Sequence, residues 1–174
     1  MDLKRKITAT DVDFAFRKTV NITPAFLKGN NIQGLILDVD NTLTTDETLT
    51  PAEGIPEWVE DMKKNHIRLV IVSNNNEKRV RPLAETLGIK FVPKGAKPLK
   101  KGYEKAMAIM GLHHSRVAAV GDQLFTDMWG AKVAKVKSIY VAPMQIEGKE
   151  KRFILFKRKL EKLFLPEKFT DDKE

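Results

Sequence analysis

The chain has 174 residues, a formal net charge of +8 and no cysteine. Its length suits one domain with an ordinary core, and the missing thiols exclude disulfides, thiolate metal sites and cysteine nucleophiles. The excess of Lys and Arg favours anionic partners: phosphorylated small molecules, nucleic acid or anionic lipid.

The N-terminus, Met1-Asp2-Leu3-Lys4-Arg5-Lys6, is basic but runs into Thr, Asp and Phe, so nothing in it resembles a cleavable signal. No apolar run approaches the ~20 residues needed to span a bilayer, and the expected location is the cytoplasm. Residues from about 11 to 28 read as helical material packed on the core through Phe14, Phe16, Phe26 and Leu27. Five short apolar segments read as buried parallel strands, over residues 34–38, 68–73, 89–92, 117–121 and 138–142. Helical patterns lie between them. Residues 51–65 carry Ile55, Trp58, Val59 and Met62 at helical spacing. Residues 76–87 follow Asn74-Asn75-Asn76 and stop at Gly88, a C-terminal glycine signal. Residues 100–110 place Tyr103, Ala106, Met107 and Met110 on one side and end at Gly111, and residues 126–134 follow the fourth strand closely. Strands alternating with helices imply an α/β fold, a doubly wound parallel sheet of about five strands with helices on both faces. The whole chain reads as a single domain with its core at about 30–145.

The histidines are poorly grouped. His66 stands alone, and His113-His114 lie side by side, a spacing that shares no helix face, so both read as loop or cap residues. Residues 149–165 (KEKRFILFKRKLEKLFL) form a basic amphipathic helical pattern, with Phe153, Phe156, Leu160, Leu163 and Phe164 as the apolar stripe. Such a helix either docks on the sheet or lies on an anionic bilayer. The tail Asp171-Asp172-Lys173-Glu174 is expected to fray.

The strand ends carry the chemistry. The first ends in Asp38-Val39-Asp40-Asn41-Thr42, the second in Ser73-Asn74 and the fourth in Gly121-Asp122, with Asp127 close behind and Lys97 after the third. In a parallel sheet these ends share one edge, the edge where open α/β sheets bind ligands. Turn and capping chemistry is the plain alternative for each acid, asparagine and serine. Together, however, the set suits phosphoryl transfer. Acidic oxygens suit Mg²⁺; a hydroxyl, backbone N–H groups and a lysine suit phosphoryl oxygens; a second acid can protonate a leaving alkoxide.

DVDNTLT at 38–44, VIVSNN at 70–75, AKP at 96–98 and GDQLFTD at 121–127 resemble, in order, the four motifs of the haloacid dehalogenase superfamily of phosphatases. The spelling is similar to subgroup IIIA. Within it, ITPAFLKGNNIQGLILDVDNTL and GDQLFTD look like the YqeG-like branch, related to phosphatidylglycerophosphate phosphatases. The resemblance implies a Rossmann-like fold and assigns roles. Asp38 would be the nucleophile that forms an aspartyl-phosphate, and Asp40 the acid and then the base. Mg²⁺ would be held by the carboxylates of Asp38 and Asp122 and the backbone carbonyl of Asp40. Thr42 would brace the loop, while Ser73, the N–H of Asn74 and Lys97 would hold the phosphate. Gly121 and Asp127 would support the site, Asp127 by orienting Lys97 or a metal-bound water.

Between Asp40 and Ser73, and between Ser73 and Lys97, the chain has no room for the cap domain common in that superfamily. The edge is therefore expected to stay open to a macromolecule, to a phospholipid headgroup at a membrane, or to closure by another subunit. Three functions compete: a phosphatidylglycerophosphate phosphatase with peripheral membrane contact through the C-terminal helix; a soluble phosphatase for a phosphosugar, nucleotide or phosphoprotein; and a non-catalytic basic module on RNA or ribosomes. The first two require no nucleic acid. The third lacks exposed aromatics interleaved with its basic residues.

Overall fold

The computed structural model describes residues 12–45, 50–144, 166 and 168–172; the basic N-terminus and the amphipathic segment 149–165 lie outside them. Among the described residues, six parallel strands form one sheet: β1 (Phe14–Phe16), β2 (Gly34–Leu37), β3 (Arg68–Val72), β4 (Lys90–Val92), β5 (Val117–Gly121) and β6 (Lys137–Val141), in the spatial order β1-β6-β5-β2-β3-β4. Five α-helices among the described residues connect or flank them: α1 (Pro24–Gly29), α2 (Ile55–Lys64), α3 (Glu77–Leu87), α4 (Lys100–Met110) and α5 (Trp129–Val133). Among the described residues, one helix occupies each of the β2–β3 and β3–β4 connections, with no inserted domain.

The strand sequences explain the layering. GLIL and VAAVG are buried throughout and RLVIV from its second residue, the near-continuous apolar pattern of strands covered on both faces. Alternate side chains then serve opposite cores. Leu35, Leu37, Leu69, Ile71 and Val120 pack with Trp58, Val59 and Met62 of α2 and Val80, Leu83 and Leu87 of α3. Ile36, Val70, Val72 and Ala119 pack with Tyr103, Ala106 and Met110 of α4 and Ala131 of α5. As the sequence suggests, α3 stops at Gly88, whose φ of 59° is the left-handed conformation that glycine adopts at least cost.

Two flanks differ from the sequence expectation. The N-terminal stretch is not wholly helical: Phe14–Phe16 form β1, a sixth strand on the outer side of β6. The spacing of Phe14 and Phe16 is the two-residue period of a strand, and both rings meet Phe26 edge-on, at 4.9 and 5.0 Å. A short 3₁₀ turn (Thr19–Asn21) leads to α1, which Thr23 caps and Pro24 begins. The C-terminal acids do not fray at positions 171 and 172. The amide of Thr170 donates to the carbonyl of Ala15 at 2.5 Å, the amide of Arg17 to Asp171 at 3.2 Å, and Arg17 Nε to Asp172 at 2.9 Å. This return covers the open edge of β1, whose unpaired backbone groups would otherwise face solvent. Among the described residues, no helix is long and apolar enough to cross a membrane.

From β2 the chain winds outward through β3 and β4, and α4 then carries it back to β5 on the other side of β2. The carboxyl ends of β2 and β5 therefore flank the crevice where the winding direction reverses.

Candidate active site

Asp38 directly follows β2, and its amide still donates to the carbonyl of Val120 at 3.0 Å, so the ladder fixes the start of the loop. The chain then folds back on itself. The amide of Leu43 donates to the carbonyl of Val39 at 2.9 Å, and that of Asn41 to the carbonyl of Thr44 at 2.7 Å. Asn41 has a φ of 61°, a left-handed conformation that asparagine tolerates better than most residues. Thr42 is fully buried, and its carbonyl accepts from the Thr19 hydroxyl at 2.7 Å. This short coil leaves the Asp38 carboxylate buried and Asp40 half-buried two residues on.

At the end of β3, the buried Ser73 accepts from the amide of Asn75 at 3.1 Å. The side chain of Asn74 grips the backbone of Lys97 twice: its Oδ1 accepts from the Lys97 amide at 2.7 Å, and its Nδ2 donates to the Lys97 carbonyl at 3.1 Å. That clamp fixes a loop residue against β3. The Lys97 ammonium is buried, pairing with Asp38 Oδ1 and, at 2.6 Å, with Asp127 Oδ1. The neighbouring Lys100 instead pairs with Glu104 on the surface of α4.

Asp122 follows β5 directly and is buried, as is Asp127. The sequence predicts one helix over residues 126–134; Asp127 lies instead on a π-helical turn (Leu124–Met128) that runs into α5. The wider turn lays its carboxylate across the end of β5, where Oδ2 accepts from the amide of Gln123 at 3.1 Å. A Cβ on Gly121 would stand 2.4 Å from that carboxyl group, so only glycine fits beneath it. The Tyr103 hydroxyl donates towards the carbonyls of Thr126 and Asp127, each at 3.2 Å, pinning the turn from α4.

Oxygens of Asp38, Asp122 and Asp127 all lie within 4.8 Å of one another. Among the described residues, Asp38 Oδ2 and Thr42 Oγ1 are buried without a hydrogen-bond partner. Three buried acids lie together, and one lysine pairs with two of them, Asp38 and Asp127. Burial, and then the charge of Asp127, push the Asp38 carboxyl up to about 7. Burial works against the charged form of Lys97, but Asp127 and then Asp38 outweigh it and hold the ammonium well above the ordinary lysine range. Oxygen donors with a surplus of negative charge fit a hard divalent cation.

Asp38, Thr42, Ser73, Asn74, Lys97, Gly121, Asp122 and Asp127 are therefore brought together at one edge. Asp40 is beside them, but its carboxylate belongs to a second cluster. Asn75 Nδ2 donates to its Oδ2 at 2.7 Å and Arg79 Nη2 to its Oδ1 at 2.6 Å. The sequence alone assigns no role to Asn75 or Arg79. Asn75 closes the VIVSNN motif; nothing local marks Arg79, which meets its partner across 39 positions.

Residues 45–135 match the family described as haloacid dehalogenase-like hydrolase. The "Probable phosphatase YqeG" of Bacillus subtilis (strain 168) is 40% identical over 124 residues, covering 71% of this chain and 72% of that protein. An uncharacterized protein from Listeria monocytogenes serotype 4b superposes with a TM-score of 0.55 at 17% identity, over 68% of this chain and 85% of that one. The cobalt-bound deoxy-D-mannose-octulosonate 8-phosphate phosphatase of Haemophilus influenzae gives 0.50 at 20% identity, over 64% and 69%. These two likenesses show a shared fold.

Proposed function

This chain belongs to the haloacid dehalogenase-like hydrolases and is a phosphatase, and on that premise we propose that it hydrolyses phosphatidylglycerophosphate with the help of Mg²⁺. The observation that carries the chemistry is the environment of Asp38: buried at the end of β2, with one oxygen on Lys97 and the other without a hydrogen-bond partner among the described residues.

Asp38 attacks phosphorus as the ester P–O bond breaks, and the departing alkoxide takes a proton from Asp40. Water then attacks the phosphorus of the aspartyl-phosphate and gives its proton to Asp40; inorganic phosphate leaves and the Asp38 carboxylate is restored. Ser73, the amide of Asn74 and Lys97 bind the phosphoryl oxygens, while Thr42 braces the loop and Asp127 holds Lys97 in place. Asp38, Asp122 and the backbone carbonyl of Asp40 would hold Mg²⁺ beside Asp127, and the ion would neutralise charge on the phosphoryl oxygens.

The lipid substrate is supported by the motif resemblance, by the absence of an inserted domain over the crevice among the described residues, and by the net charge of +8. The basic amphipathic pattern of residues 149–165 would bring the crevice to an anionic bilayer at its cytoplasmic face. The test is a Mg²⁺-dependent screen of the purified protein against dispersed phosphatidylglycerophosphate, phosphosugars, nucleotides and phosphopeptides. Fastest turnover of the lipid, lost in Asp38→Asn and with EDTA, is expected. Faster turnover of a soluble ester would overturn the lipid assignment, and activity retained in Asp38→Asn would overturn the nucleophile.

A further inference from the structure

Asp40 stands on a short loop just beyond β2, and nothing in the loop's own backbone fixes which way its carboxyl group turns. Its two oxygens are held from another element. Asn75 Nδ2 donates to Oδ2 at 2.7 Å and Arg79 Nη2 to Oδ1 at 2.6 Å. Both donors stand on fixed backbone. The Asn75 amide donates to Ser73 Oγ at 3.1 Å, and its carbonyl accepts from the Lys94 amide at 2.9 Å. Arg79 lies in the first turn of α3, where the capping Asn76 side chain accepts from its amide at 3.1 Å and the neighbouring Val80 is buried in the core.

An ion pair that merely ties α3 to the loop is the plain reading of this contact. With 33% of the Arg79 side chain and 25% of the Asp40 side chain exposed, however, water screens the pair and leaves it little effect on stability. Orientation is a different matter. A proton donor works only within hydrogen-bond reach of the departing oxygen and aligned with it, and one N–H donor on each oxygen fixes both the place and the plane of the carboxyl group. In this arrangement both partners donate, so neither competes with a leaving group for the acid proton. We infer that Asn75 and Arg79 are positioning residues for proton transfer, holding the Asp40 carboxyl group in the orientation that delivers its proton to the departing alkoxide. They act through Asp40. As the ester P–O bond breaks, the Asp40 proton passes to the alcohol oxygen, and Asp40 remains as a carboxylate on the same two donors. The inference rests on Asp40 being the proton donor, as proposed above, and deepens that assignment.

The test uses leaving groups that need the proton to different degrees. The phenolate of p-nitrophenyl phosphate departs without one, that of phenyl phosphate needs it more, and the alkoxide of glycerol 3-phosphate needs it most. On each ester, kcat/KM reports the step that breaks the ester bond. In Arg79→Ala it should fall about tenfold or more on glycerol 3-phosphate, less on phenyl phosphate and least on p-nitrophenyl phosphate. Asn75→Ala should follow the same order with smaller losses, and Arg79→Lys should recover part of the activity. Asp40→Asn should lose about 100-fold or more on the alkyl ester, and adding Arg79→Ala to it should have no further effect. Unchanged kinetics in Arg79→Ala, equal losses on all three esters, or an undiminished loss in the Asp40→Asn background would each overturn the inference. If that happens while Asp40→Asn keeps its leaving-group order, the acid role of Asp40 stands and only the inference falls. If Asp40→Asn itself slows all three esters alike, the acid role falls and the inference with it.

Discussion

Two regions of this molecule hold one cation between two acids. Lys97 sits between Asp38 and Asp127 with 5% of its side chain exposed; Arg81 sits between Glu77 and Glu85 with 51% exposed. The charges match and the consequences do not. Around Arg81, water screens every charge, so the arrangement contributes little. Around Lys97, each charge has lost its hydration and depends on the others. There, burial and then the charge of Asp127 move the protonation of Asp38 towards neutral pH. Burial, more than the number of ion pairs, separates a working cluster from an ornamental one.

The contrast is broken most sharply at Lys97. Lys97→Met should lower phosphatase activity by about 100-fold or more and destabilise the fold by about 3–5 kcal/mol at neutral pH, because Asp38 and Asp127 lose the cation they share. Steady-state kinetics and denaturant titration measure both; a fold as stable as the wild type would contradict a cluster held together by burial. Next comes Gly121→Ala. Its Cβ would displace the Asp127 carboxyl group, with an expected loss of about 1–3 kcal/mol and of activity. Full activity in that variant would show that the Asp127 position is not needed.

A smaller effect sharpens the contrast through pH. Folding lifts the Asp38 carboxyl from its ordinary 3.8 to about 7, so between those values the folded state keeps a proton that the unfolded chain has released. Its contribution to stability is full below about 3.8 and is lost as pH rises through about 7. A divalent cation competes with that proton. The rise in melting temperature on adding Mg²⁺ should therefore be larger at about pH 8 than at about pH 5.5, as differential scanning fluorimetry would measure. An equal or larger rise at the acid pH would contradict it. The smallest effect belongs to Arg81→Ala, which should leave melting temperature and turnover unchanged within error.

The same contrast governs what is legible in the sequence. Arg81 and its partners are four positions apart, a spacing that announces itself on a helix. The partners of Lys97 lie 59 and 30 positions away. They are legible only because each follows an apolar strand, and parallel strands deliver their ends to a common edge. Where no strand end marks a residue, the sequence is silent. Arg79 lies inside a helix, and its meeting with Asp40 depends on how α3 leaves β3. β1 is three residues long and pairs with residues 125 positions later, Phe14 with Ile139, too short for a period to stand out. Asp171 and Asp172 look like a solvated tail because Arg17, which holds them, is 154 and 155 positions away.

The proposed chemistry stands or falls with Asp38 carrying the phosphoryl group. Wild-type protein turning over substrate with Mg²⁺ should be quenched in acid, reduced with borohydride and digested for mass spectrometry, since reduction converts an aspartyl-phosphate to homoserine. Homoserine at position 38, appearing only when substrate is present, is the predicted result. Turnover with no modification there, or with the modification on another acid of the cluster, would contradict it.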